Sequence, residues 1–92
     1  LWSATAEGVR LFNDAVSAAG RDPRSVVRSF YVYRPLEPWS SPAAFEAIVE
    51  RARSIGFDEL ILAWPGFLHE DGAETQIDVF RTVSRELVPL LV

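Results

Sequence analysis

The run Leu60-Ile61-Leu62-Ala63-Trp64 is apolar at every position, so a strand built from it is predicted to be buried on both alternating faces. The amphipathic segment before it carries Phe45, Ile48, Val49, Ala52 and Ile55 on one helical face. Ser41-Pro42 supplies a capping hydroxyl and a first-turn proline, and Gly56 stands where the helix must end. Upstream, Val26 to Tyr33 is rich in β-branched and aromatic residues and reads as another strand. A helix of about 14 residues between two strands is long enough for the right-handed crossover of a parallel βαβ unit. Two parallel strands do not make a stable sheet alone, because their outer edges leave N–H and C=O groups unpaired. Such a chain must associate with itself or belong to a larger sheet.

The flanking segments complete an α/β order of helix, strand, helix, strand, helix. A first helix is predicted from about Thr5 to Ala19 through Val9, Phe12, Val16 and Ala19, with Leu11 and Ala15 widening the stripe. Ser3 or Thr5 is its expected cap, Gly20 its left-handed end, and Asp22-Pro23 forbids continuation. Residues 34–40 form a loop, and Glu59 to Trp64 is the second strand. A Gly- and Pro-containing loop follows from Pro65 to Gly72. The last helix runs from about Thr75 to Leu91, and Pro89 should kink or fray its final turn. Residues 1–92 read as one partial domain without an internal boundary.

Composition excludes several classes. The nine cations are all Arg, spread from Arg10 to Arg85 under a net charge of −4, which argues against a nucleic-acid partner. No apolar run approaches the roughly 18 residues of a membrane span. The absence of Cys excludes disulfides and thiolate metal sites and fits a reducing, cytoplasmic setting. There is also no Met, and Leu1-Trp2-Ser3 leads almost directly into a helix, so the expectation is a piece cut from something longer.

Three segments carry a family resemblance. Ala19-Gly20-Arg21-Asp22-Pro23 followed shortly by a strand, Gly56-Phe57-Asp58-Glu59-Leu60-Ile61-Leu62 at the start of another, and the closing Val88-Pro89-Leu90 together resemble the late part of luciferase-like monooxygenases. The likeness covers nearly the whole chain but consists of structural punctuation. It implies a flavin-dependent oxidoreductase using FMN or a deazaflavin coenzyme on an eight-stranded barrel. Val26–Tyr33 would then be the seventh strand and Glu59–Trp64 the eighth. The family's acid/base residues and most of its flavin contacts lie on earlier strands, so no catalytic residue is assigned here.

In barrels the active face lies at the C-terminal ends of the strands, which points to Tyr33, Arg34 and Trp64 as candidate cofactor- or substrate-binding residues. Arg34 could hold a phosphate or carboxylate bidentately, and Trp64 and Trp39 could pack on a flavin or an apolar substrate. The bland alternatives are a surface ion pair for Arg34 and gap filling for both tryptophans. His69, the only histidine, is a candidate proton shuttle, though a loop histidine beside Glu70 and Asp71 is more often simply solvated. Three consecutive loop residues rarely converge on one ion, so a metal site at His69, Glu70 and Asp71 is rejected. Glu7, Asp14, Glu46, Glu50, Asp78 and Glu86 belong to solvated helix faces, and there is no Gly-rich phosphate loop and no nucleophile elbow.

Two functions follow. One is a C-terminal fragment of such an oxidoreductase, contributing barrel closure and part of the substrate wall and inactive alone, with the flavin held by the parent. The other is a small self-assembling interaction module without catalysis. In either case the isolated chain is expected as a homo-oligomer joined through strand edges and apolar helix faces. Four copies could in principle supply eight barrel strands. The surplus of apolar residues at Val9, Leu11, Phe12, Val16 and Phe67-Leu68 favours the fragment.

Overall fold

In the computed structural model, residues 1–33, 35–64 and 73–91 are described. Helix α1 spans Trp2–Ala18, strand β1 Ser29–Val32, helix α2 Pro42–Ile55, strand β2 Glu59–Leu62 and helix α3 Ala73–Thr82. The last helix continues through a π-helical turn at Val83–Leu87 into α4, Val88–Leu91. β1 and β2 form one two-stranded parallel sheet, with Ser29 opposite Glu59 and Val32 opposite Leu62. The α/β class and the order of elements are therefore as the sequence predicts.

The ends of α2 also match. The Ser41 hydroxyl accepts from the Ala44 N–H at 3.0 Å, and Pro42 opens the helix. Gly56 closes it at φ 115°, its N–H donating to the Ala52 and Arg53 carbonyls. Gly20 likewise ends the α1 segment at φ 82°, with the Arg21 N–H donating back to the Val16 carbonyl.

The start of α1 is different. No side chain caps it: the helix begins at Trp2, and the Thr5 hydroxyl donates to the Leu1 carbonyl instead of accepting a backbone N–H. Both strands are shorter than predicted. Asp22 caps a 3₁₀ turn at Pro23–Ser25, and the Val26 N–H is used within that turn, so β1 begins only at Ser29. At the other end the Trp39 indole N–H takes the Ala63 carbonyl at 2.9 Å, which stops β2 short of Trp64. The π-turn directly precedes Pro89, whose ring clashes with the carbonyl four residues earlier; widening the turn relieves that clash.

A short clasp aligns the strands. The Arg28 N–H donates to the Asp58 carboxylate at 2.9 Å, while the Asp58 N–H donates to the Arg28 carbonyl at 2.8 Å. Above it, Phe30 and Val32 are buried on one face of the sheet, beside half-buried Leu60 and Leu62. Leu60 and Leu62 pack against Trp39, Phe45, Val49, Val79 and Val83, with Phe80 and Leu87 alongside, and Phe30 meets the Phe57 ring edge-on at 5.0 Å. Trp39 stacks on Phe45 with ring centroids 5.6 Å apart and meets Phe80 edge-on at 5.4 Å. α1 reaches this layer at its rim, where Trp2 lies 5.3 Å from Phe30, and buries none of its own residues.

Burial of the sheet departs from expectation. β2 alternates exposed and half-buried residues instead of being enclosed on both faces, and Ile61 is 47% exposed. The reason is a one-sided architecture: the described helices touch a single face of the sheet. The radius of gyration, 15.2 Å, exceeds the roughly 12 Å of a compact domain of this length.

Candidate functional site

Strand alternation sorts the residues near the predicted active end into two groups. Tyr31 and Tyr33 share the uncovered face of β1, each 56% exposed, with ring centroids 6.2 Å apart. Ile61 lies opposite Tyr31 on the same face, and Val27, also exposed, precedes them on β1's approach. The described polar groups here sit at the N-terminal end, where the Ser29 hydroxyl donates to the Glu59 carboxylate. The result is an apolar, aromatic ledge that becomes polar at one end.

Trp64 turns the other way. It is 67% exposed, but its described ring partner is Phe80 of the helix layer, 5.3 Å away. Tyr33 and Trp64 therefore lie near the same strand ends without forming one surface. Arg34 and His69, with Phe67-Leu68, Glu70 and Asp71, lie outside the described residues. Trp39 is only 7% exposed and fills the core, its N–H satisfied by Ala63. Tyr31 lies outside the strand ends to which the sequence points, and its i,i+2 alternation with Tyr33 is the signal that finds it.

Two hollows lie at the opposite, N-terminal ends of the strands. One, of about 410 Å³, runs between α1 and β1 and is lined by Val9, Phe12, Val27 and Phe57 among others. The other, of about 560 Å³, is more polar and includes Asn13, Asp22, Arg28 and Asp58. Arg28 is already engaged there: its guanidinium donates to the Pro23 carbonyl at 2.5 Å and lies 5.7 Å from the centre of the Phe12 ring. Among the described residues, no group of three or more His, Asp or Glu is placed to hold a metal ion, and no helix is long and apolar enough to cross a membrane.

The fold and this ledge define an α/β unit with one helix layer over a two-stranded parallel sheet. Comparison with family models, curated proteins and solved structures finds no match.

Proposed function

We propose that this chain is the C-terminal part of a luciferase-like barrel oxidoreductase, closing the barrel, forming part of the substrate wall and inactive alone. The observation that carries this reading is the one-sided sheet. In an α/β barrel the helices form the outer ring, and the opposite face of each strand points into a packed interior. Purely parallel sheets are otherwise almost always covered on both faces. The ledge of Tyr31, Tyr33 and Ile61 is the kind of surface an interior layer needs.

FMN or a deazaflavin would supply the redox chemistry of the parent, and the protein's part would be to position it and exclude water. The described residues offer aromatic surface for this but no arginine on β1 or β2 to hold a phosphate. The cofactor's main contacts would belong to other strands of the parent. The test is an antibody raised against this chain, applied to cells that make it. The expected antigen is a polypeptide of about 250 residues or more that retains a flavin or deazaflavin when purified. An antigen of 10.3 kDa without such a cofactor would overturn the reading.

A second reading, the self-assembling module, is favoured by the same exposed surface. In it the isolated chain associates with copies of itself through strand edges and apolar helix faces.

A further inference from the structure

We propose that the hollow between α1 and the approach to β1 binds a small amphiphilic carboxylate, its apolar body against Val9, Phe12, Val27 and Phe57 and its head on Arg28. The site lies at the N-terminal ends of the strands, away from the end that carries a barrel's active face, and so goes beyond the oxidoreductase reading.

The walls favour hydrocarbon. The hollow holds about 410 Å³, within the usual range of small-molecule sites. Phe12 is 42% and Val27 69% exposed, so an apolar body seated between them takes hydrocarbon surface out of water on both sides. Gly8 keeps the α1 wall open, since a Cβ there would meet no heavy atom within 4 Å.

Arg28 selects the head group. Among the described residues lining the hollow it alone is charged. It also borders the adjoining polar hollow, which places a polar head where the two meet. Its Nη2 donates to the neutral Pro23 carbonyl, and its Nε is buried without a partner. The ion pairs among the described residues involve Arg10 and Arg81, not Arg28. Asp22 and Asp58 border the polar hollow, but their carboxylates accept the main-chain N–H groups of Arg24 and Arg28. A half-buried guanidinium without a counter-charge, beside an apolar hollow, is matched by an anion with hydrocarbon behind it. A carboxylate suits the planar fork of the guanidinium. Asn13, whose Oδ1 is also buried without a partner, borders the polar hollow; a half-turn of its amide exchanges acceptor for donor and adapts it to an anionic head.

The experiment titrates octanoate and octan-1-ol into the whole chain, below their aggregation limits, and follows backbone amide shifts by nuclear magnetic resonance. Octanoate is expected to bind saturably, with shifts centred on Val9, Phe12, Val27 and Phe57, and at least about tenfold more tightly than octan-1-ol. Arg28→Met should erase that preference while leaving the binding of octan-1-ol. Gly8→Leu should fill the hollow and remove both, with the far-UV circular dichroism retained because a helix interior favours leucine over glycine. Absence of saturable octanoate binding, shifts centred elsewhere, or equal affinity for the two probes would overturn the proposal, and each is read on the unmodified chain. A preference that survives Arg28→Met would overturn the assignment of the head to Arg28.

Discussion

Helices α1 and α2 have comparable amphipathic patterns and opposite fates. α2 buries Phe45, Ile48, Val49 and Ala52, and is closed by a serine cap at one end and a left-handed glycine at the other. α1 is the longer helix, yet none of its residues is fully buried, it has no side-chain cap at its start, and Leu11 and Phe12 stay 55% and 42% exposed. An apolar stripe states only that a helix can be buried. Whether it is buried depends on a second layer to receive it, and α2 has the sheet where α1 has only its rim.

The comparison breaks most visibly in the core. Phe45→Ala should cost about 3–5 kcal/mol, a large share of the stability of a chain this small. Leu11→Ala on α1 should stay within about 0.5 kcal/mol. Urea denaturation of both variants measures the contrast, and equal losses would show that α1 is as well packed as α2.

Next come the glycines. Gly56 adopts φ 115°, and an alanine there should destabilise by about 1–2 kcal/mol. Gly8 lies inside α1 with open space around a would-be Cβ, so Gly8→Ala should raise stability by about 0.5–1 kcal/mol. Thermal melts should move in opposite directions for the two.

Capping gives a smaller effect. Ser41→Ala should cost about 1 kcal/mol, because the Ala44 N–H loses its acceptor. Ser3→Ala, with no cap to lose, should change the melting temperature little.

The smallest effect is electrostatic and confined to α1. The Arg10 guanidinium, hydrogen-bonded to Glu7 at 2.5 and 3.0 Å, holds the Glu7 carboxyl below its usual value. A lowered folded value means support present above the unfolded pKa and lost as pH falls through the folded one. Helicity of α1 should therefore decline slightly on acidification, by less in Glu7→Gln, as nuclear magnetic resonance shifts along α1 can show. Both groups are exposed, so salt should blunt the difference.

These contrasts also show what the sequence makes legible. The order of elements, both ends of α2 and the role of Gly20 follow from local chemistry: a hydroxyl before a proline, a glycine after an apolar stripe. The extent of burial does not follow. Leu60 to Trp64 shows which residues alternate, but no pattern within that run tells whether a layer lies over each face. Trp39 sits in a two-proline stretch without periodicity, and its place in the core depends on α3, about forty residues later. The end of β2 is hidden for a similar reason, since a distant indole claims the Ala63 carbonyl. At the candidate site, the sequence points to Tyr33 and Trp64 through their place near the strand ends, and both are exposed. It could not show that one joins the ledge and the other turns to Phe80.

The clasp between Arg28 and Asp58 joins residues 30 positions apart and uses both a backbone and a side-chain group of the same aspartate. Sliding one strand by a single residue would break both bonds together and turn Phe30 and Val32 outward. Misalignment is thus penalised twice, once at the threshold of the sheet and once in its interior. Asp58 adds a second check on alignment to the short ladder of four residue pairs.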